Sequence, residues 1–408
     1  YDEEIDGVLH KVDRADLLAA LRQRLPDLLI LDRAEDLHPY ECDGLAAYRT
    51  LPLLVVLPEC LEQVETILRL CHARGVPVVA RGAGTGLSGG ALPLAQGVLL
   101  VMARFKNSLE TNPNARRARV QPGVRNLAIS DAAAPYGLYY APDPSSQIAC
   151  SIGGNVAENA GGVHCLKYGL TVHNVLKLEV LSMEGERMTL GADALDAPGF
   201  DLLALFNGSE GLLGIVTEVS VKLLPKPTVA RVLMASFDSV DKAGRAVADI
   251  IAAGIIPGGL EMMDKLAIQA AEDFIHAGYP IEAEAILLCE LDGVEVDVAE
   301  DIERVRALLD QAGATAVSLA RDDAERALFW AGRKNAFPAV GRMSPDYYCM
   351  DGTIPRRELA NVLRGTASLS AQYGLRVANV FHAGDGNMHP LILFDANEPG
   401  ALQKAEEL

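Results

Sequence analysis

Near the end of the chain, Val380-Phe-His-Ala-Gly-Asp-Gly-Asn-Met-His-Pro390 sets two histidines on either side of a Gly-Asp-Gly-Asn turn. Apolar runs from Val377 to Phe381 and from Leu391 to Phe394 flank that turn and read as strands. The pattern predicts a hairpin, with His382 and His389 brought together across its mouth. Two imidazoles beside a carboxylate, here Asp385, are a common ligand set for Zn²⁺, Mn²⁺ or Fe²⁺. The competing assignment has the histidines capping a polar hairpin and Asp385 serving its turn. With both Asp385 and Asn387 between the histidines, the metal is favoured. Upstream, Trp330-Ala-Gly-Arg-Lys-Asn335 places Arg333 and Lys334 beside the single tryptophan. An arginine fork matches a carboxylate bidentately; a solvated helix face is the alternative, more for Lys334 than for Arg333. Met350-Asp-Gly-Thr-Ile-Pro-Arg356 adds a polar loop whose Asp351 serves either the loop or the site.

A second chemistry is written in Val78-Val-Ala-Arg-Gly-Ala-Gly-Thr-Gly-Leu-Ser-Gly-Gly-Ala91, where an apolar run enters five glycines between Gly82 and Gly90. Glycine tolerates positive φ and close approach of backbone to a ligand. Successive N–H groups of such a loop converge into a nest suited to a phosphate or pyrophosphate, and Arg81 stands at its mouth. Gly84, Gly86 and Gly89 also satisfy G-x-G-x-x-G, but the dinucleotide fingerprint requires a helix opening at the glycines. Pro93 would break such a helix, and Val98 to Met102 reads as the next strand. The stretch is therefore a phosphate-cradling loop between strands. A further glycine-rich passage, Ser151-Ile-Gly-Gly-Asn-Val-Ala-Glu-Asn-Ala-Gly-Gly162, follows the stiff turn Ala141-Pro-Asp-Pro-Ser-Ser146. Its asparagines and glycine pairs suit contacts to a planar polar ring system; a tight turn around a short helix is the alternative.

The elements that must hold these loops are legible as patterns. Asp13 to Leu25 is helical. Leu53 to Leu57, an amphipathic helix with apolar Leu61, Val64, Ile67, Leu68 and Cys71, and Val76 to Ala80 form a β-α-β unit that delivers the chain to the glycine loop. Arg117 to Gln121 reads as a strand ending at Pro122-Gly123, with a helix to about Pro135. Val175 to Ser182 and Gly214 to Leu224 are strands, and Pro225-Lys-Pro227 marks a domain boundary. Beyond it, helices (Asp241 to Ala253, Val296 to Ala312) alternate with strands (Arg231 to Phe237, Ala285 to Leu291), an α+β pattern.

The 408 residues carry a net charge of −19, with half of them apolar. That balance argues against nucleic acid as a partner and requires positive charge to be concentrated where an anion binds. No apolar run approaches the roughly 18–20 residues of a membrane span, and no signal segment opens the sequence. A membrane role would therefore run through a partner. The seven cysteines are scattered, without a C-x-x-C. Free buried thiols in a reducing cytoplasm are expected, without a zinc ribbon or an iron–sulfur cluster.

Taken together, Arg81 to Gly90, the Pro-Asp-Pro-Ser-Ser turn, Gly153 to Gly162 and the His382–His389 hairpin resemble the FAD-linked oxidases of the vanillyl-alcohol-oxidase type, over nearly the whole chain. The resemblance implies an α+β protein: a two-subdomain PCMH-type FAD-binding domain over 1–225, then a cap (substrate) domain with an antiparallel sheet over 226–408. It assigns Arg81, Gly82, Ala83, Gly84, Thr85, Gly86, Ser88, Gly89 and Gly90 to the pyrophosphate. Pro142, Ser145, Gly153, Gly154, Asn155, Asn159 and Gly162 fall to the flavin, and Gly214 and Ile215 to the adenine or ribose side. Pro122 and Gly123 join the cofactor-binding set. Covalently flavinylated relatives carry a histidine in the glycine loop; this chain has Gly84-Thr85-Gly86 there, so FAD is expected to be non-covalent.

In the cap domain the resemblance makes His382 and His389 ligands of a catalytic divalent metal, Asn387 a substrate contact, and Arg333 the partner of the substrate carboxylate. Relatives draw a third ligand and the base from a later Gly-Glu-His-Gly motif, which does not occur before Leu408. The sequence stops inside a helical pattern with no stop signal, so the natural protein is expected to continue. The implied reaction oxidises glycolate, or a small D-2-hydroxy acid, to the 2-oxo acid with hydride passing to flavin N5. The implied partners are the iron–sulfur and accessory FAD-binding subunits of a glycolate oxidase complex. They would leave the chain cytoplasmic, or peripheral to the inner membrane through those subunits. The alternatives are a stand-alone D-lactate or D-2-hydroxyglutarate dehydrogenase and a non-catalytic flavin-binding subunit.

Overall fold

The computed structural model describes residues 12–194 and 197–408; the acidic opening stretch 1–11 lies outside the described residues. The chain divides into two compact units, Tyr1–Gly161 with Gly169–Lys226, and Gly162–Tyr168 with Pro227–Leu408.

In the first unit, Asp13 caps the helix Arg14–Arg24 by accepting from Ala15 and Asp16 N–H groups. The expected β-α-β unit is present as the strand Leu54–Leu57, the helix Leu61–Ala73 and the strand Val78–Arg81. Val64, Ile67, Leu68 and Cys71 form the buried face of that helix, and Gly75, at φ +63°, turns the chain out of it. The two strands are not neighbours: Val98–Val101 lies between them, parallel to both, and Leu29–Leu31 closes the other edge antiparallel. This insertion leaves Val78–Arg81, from which the glycine loop leads on, at an edge of the sheet. A second, antiparallel sheet contains Ser108–Asn112, Arg117–Val120, Ile215–Lys222, Val175–Leu181 and Arg187–Gly191 in that spatial order. Helices Asn126–Ala133 and Ile152–Glu158 cover it through Ile129, Ile152 and Val156 against Val120, Leu178 and Val219.

The second unit is built on a seven-stranded antiparallel sheet. Its order is Ala316–Leu319, Val229–Phe237, Ala285–Gly293, Gly259–Asp264, Val377–Phe381, Pro390–Phe394 and Asp346–Cys349. Helices Val240–Ala252, Glu295–Gln311 and Leu359–Tyr373 cover one face, where Val247, Val305, Leu309 and Leu363 pack on Leu233, Leu260, Met262 and Leu287. Strand alternation sends Glu261 to the opposite face. The short segment Gly162–Tyr168 is clipped into this unit by Lys167 and Tyr168, both bonded to Asp292, and by His164 on Glu290. Among the described residues, no helix is long and apolar enough to cross a membrane.

Candidate active site

The two glycine-rich passages meet inside the first unit. Ser151 caps the helix Ile152–Glu158 by accepting from Gly154 N–H at 3.4 Å, and Asn159 ends it at φ 48°. A Cβ on Gly82 would run into Ser151 Oγ, and one on Gly90 would lie 2.5 Å from Glu158 Oε1. Gly153 N–H donates to the Pro122 carbonyl, and a Cβ on Gly153 would stand 2.5 Å from Pro122 Cβ. Pro122 thus forms the floor beneath the helix. Gly123 is pressed against the Met102 and Phe105 carbonyls. The loop after Phe206 joins the same cluster, since Gly208 and Glu210 N–H groups donate to Val156 and Ala157. These glycines let the two passages pack closely on one another, and the amide nitrogen of Asn155, buried there without a hydrogen-bond partner, is a donor left for a polar cofactor. The residues fit FAD.

Several expected cofactor contacts have structural duties. Arg81 is turned onto its own neighbourhood: Nη1 donates to the Cys42 carbonyl at 2.6 Å and the guanidinium lies over the Tyr40 ring. It braces the loop, and burial lowers its pKa. The Asn159 side chain accepts from Val172 N–H, and the Pro142 carbonyl from Asn126. Ser145 is exposed. Gly214, at φ +150°, lies under the Leu181 carbonyl, and Ile215 is buried at the start of its strand. Gly162 groups with the second unit. Missed in the sequence were Cys42-Asp-Gly-Leu45, which backs the loop through Gly44 against the Gly86 carbonyl and Asp43 against Ala91 N–H, and Glu158, which accepts from Ser88 Oγ.

The second unit gathers the other expected residues around a glutamate. The hairpin forms: His382 N–H donates to the Asn387 carbonyl, and Gly386 turns at φ +83°. It brings the His382 and His389 rings to 5.1 Å between centroids, edge to face. His389 Nδ1 lies 3.1 Å from the Val380 carbonyl, so Nδ1 carries the proton and Nε2 the lone pair. His382 Nδ1 lies 2.8 Å from Glu261 Oε1. Arg333, near the end of the helix Asp323–Lys334, puts Nη2 2.6 Å from Glu261 Oε2, and both side chains are only 1% exposed. That approach is a close ion pair with poor hydrogen-bond angles, since Arg333 Nε and Nη2 have no well-directed acceptor. The helix is fixed one turn earlier by Trp330 Nε1, which donates to Glu290 at 2.5 Å. Asn387 binds Asp351 through its side-chain amide and Asp385 through its backbone N–H.

Charge organises this cluster. Burial pushes the Glu261 carboxyl upward, but His382 and Arg333 together outweigh it and hold it ionised, below the usual range. Burial, reinforced by repulsion from His382 and Arg333, lowers His389 to about 4. Burial raises Asp385. Neutral His389 therefore turns an Nε2 lone pair toward Asp351 Oδ2, 3.7 Å away. Nδ1 engaged on a carboxylate or carbonyl, with Nε2 left as the donor atom, is the habit of metal-bound histidine. The pair fits a divalent metal in that respect, although no group of three metal-ligating side chains is gathered among the described residues.

Sequence comparison supplies the affiliation. Residues 52–191 match the FAD binding domain, and residues 226–408 match the C-terminal domain of FAD linked oxidases. The chain belongs to the FAD-linked oxidases. Within this family it is 76% identical, over its full 408 residues and 82% of the relative, to the glycolate oxidase subunit GlcD of Escherichia coli K12. The Bacillus subtilis protein of the same name is 38% identical over 90% of this chain and 78% of its own. A D-lactate dehydrogenase of Anaerostipes hadrus is 33% identical over 89% of this chain and 78% of its own. Among solved structures, 4-ethylphenol oxidase from Gulosibacter chungangensis superimposes with a TM-score of 0.80 at 18% identity, covering 96% of this chain and 85% of that one. The vanillyl-alcohol-oxidase-type α+β fold and the FAD-binding character expected of this chain stand on these findings.

Proposed function

We propose that this chain is the FAD-bearing catalytic subunit of a glycolate oxidase, which oxidises glycolate or another small D-2-hydroxy acid to the 2-oxo acid. Residues 1–225, apart from the segment Gly162–Tyr168 that packs in the second unit, serve as the FAD-binding domain and 226–408 as the substrate (cap) domain. The observation that carries the reading is the convergence of Arg333, His382 and His389 on one buried cluster, in a chain 76% identical to a glycolate oxidase subunit.

Bound FAD supplies the two-electron acceptor, and a divalent metal on His382 and His389 supplies Lewis acidity. This chain's residues bind and orient. Arg333, its Nη2 side paired with Glu261 and its Nε without an acceptor, pairs with the substrate carboxylate. His382 and His389 present Nε2 while their Nδ1–H groups donate to the Glu261 carboxylate and the Val380 carbonyl. Asn387, held by Asp351, lies beside them for the substrate hydroxyl. Oxidation removes the hydroxyl proton and a hydride from Cα, leaving the 2-oxo acid. Low exposure keeps water from competing for Arg333. Iron–sulfur and accessory FAD-binding subunits are the partners that carry the electrons onward, and they hold the chain cytoplasmic or at the inner membrane. The relatives named as D-lactate dehydrogenases, at 28–33% identity, make a stand-alone D-lactate dehydrogenase the second reading.

The test is anaerobic absorbance of the FAD-loaded full chain with glycolate, D-lactate or D-2-hydroxyglutarate. Bleaching of the flavin band by glycolate, lost with chelator or in His389→Ala, is the expected result. Bleaching by D-lactate alone would move the assignment to the second reading. A flavin band that none of the acids bleaches would overturn the catalytic role.

A further inference from the structure

Glu261 stands in an apolar strand, Gly259-Leu-Glu-Met-Met-Asp264, where its neighbours in sequence are core residues. An ionised carboxylate 1% exposed costs several kcal/mol in desolvation unless it is fully paired. Well-packed apolar residues at such a place are often no less stable than a buried ion pair, so stability alone gives weak grounds for a carboxylate here.

What Glu261 touches gives stronger grounds. The adjacent strand is registered Met262 to Phe381 and Met263 to Val380, which sets the next residue, His382, directly across from Glu261 on the same face. Both carboxylate oxygens lie within 2.9 Å of His382 Nδ1. The same carboxylate takes Arg333 at 2.6 Å. On the strand's other side Gly259 is registered to Glu290, which holds Trp330 and Arg326 of the Arg333 helix. Two glutamates on adjacent strands thus fix one helix, and only Glu261 also reaches the histidine pair.

We propose that Glu261 is a positioning residue that sets the tautomer of His382 and the aim of the Arg333 guanidinium with one carboxylate, coupling metal affinity to recognition of the substrate carboxylate. This rests on the metal-assisted hydroxy-acid reading above. An ionised carboxylate accepts from His382 Nδ1 and at the same time supplies the counter-charge of Arg333. It keeps the proton on His382 Nδ1 and the lone pair on Nε2. It also prevents Arg333, whose Nε has no acceptor, from turning away from an incoming anion. The side-chain amide of Glu261→Gln has one acceptor oxygen and an NH₂ that faces a donor whichever way it is turned. His382 then keeps an acceptor in only one orientation of the amide, and Arg333 loses its counter-charge in both.

The experiment compares the FAD-loaded full chain as wild type, Glu261→Gln and Glu261→Asp in three measurements. They are histidine side-chain ¹⁵N NMR of the metal-free protein with His382 assigned through His382→Asn, Zn²⁺ affinity by chelator competition, and kcat and KM for glycolate. The wild type should show His382 protonated at Nδ1. Glu261→Gln should shift that tautomer toward Nε2–H, weaken Zn²⁺ by about 10–100-fold, and raise KM with flavin content unchanged. Glu261→Asp should keep the tautomer while KM rises, because its charge remains but its shorter reach cannot span both partners. If the amide variant does not fold, the aspartate variant decides: wild-type tautomer, Zn²⁺ affinity and KM together would overturn the proposal. The same three wild-type values in Glu261→Gln would overturn it directly. A wild type that binds no Zn²⁺ but still switches tautomer on Glu261→Gln would remove the metal reading and leave the positioning role standing.

Discussion

Arg333 is the side chain proposed to bind the substrate carboxylate, and its neighbours say which substitution is informative. Truncation would strip Glu261 of a buried counter-ion, and breaking such a pair costs about 3–5 kcal/mol, so a lost activity would report folding. Arg333→Lys keeps the charge and removes only the planar fork. Its KM for glycolate should rise about tenfold or more, the loss of one charge-assisted hydrogen bond of about 1.5–3 kcal/mol. Its flavin absorbance should match wild type; steady-state kinetics beside a flavin spectrum checks both. His389 carries a different signature. Its folded pKa of about 4 lies below the ordinary 6.5, so the folded state resists the proton that the unfolded chain takes up. Its contribution is fully present above pH 6.5 and is lost as pH falls toward 4. At pH 5 the loss amounts to about 2 kcal/mol. Denaturation of chelator-treated protein at pH 7 and pH 5 should show this drop, and His389→Asn should lack most of it.

The hairpin is the element that holds the histidines together, and its turn has little latitude. Gly386 sits at φ +83°, and a Cβ there would run into the Ile354 carbonyl, whose own N–H donates to Gly386. Gly374, at φ +62° behind the helix Leu359–Tyr373, has nothing within 4 Å of the same position. Gly374→Ala should therefore cost only about 1 kcal/mol of backbone strain, with Zn²⁺ binding intact. Gly386→Ala should cost more and weaken Zn²⁺ at least tenfold, because the turn must shift and take His382 with it. Chelator competition on the two variants separates strain from loss of geometry. This hairpin was legible in the sequence because everything that makes it is local: turn residues, flanking apolar runs and two histidines. The glycine loop was legible for the same reason, as was the exclusion of a dinucleotide helix by Pro93. Strand order was not, since the placement of Val98–Val101 between Leu54–Leu57 and Val78–Arg81 follows from sheet assembly and leaves no local pattern. Glu261 gave half a signal. A lone acid in an apolar strand announces a buried pair, but its partner His382 is 121 residues away. Arg81 reads in the sequence as a ligand-facing cation at the mouth of a phosphate loop; its contacts to Tyr40 and the Cys42 carbonyl had no local signal there.

At the scale of the whole molecule, the chemistry is split as the cores are. The clusters around Val120 and Leu178, and around Leu54, Ile67 and Leu100, lie in the first unit, as do the glycine loop and the Ile152–Glu158 helix. The cluster around Leu233, Val247 and Leu287 lies in the second, with Glu261, Arg333 and the histidine hairpin. A ligand stabilises what it binds by RT ln(1 + [L]/Kd), about 2.7 kcal/mol at one hundred times Kd. If each unit unfolds around its own core, calorimetry should resolve two transitions with separate responses. FAD should raise the one belonging to the first unit and leave the other near its place, while Zn²⁺ should do the reverse. Glu261→Gln would then lower only the Zn²⁺-sensitive transition, and Gly153→Val, which drives a side chain into Pro122, only the FAD-sensitive one. A single transition that both ligands move together would show that the units unfold as one body. The FAD cradle and the histidine cluster would then be linked thermodynamically, each ligand's binding favouring the fold that the other requires.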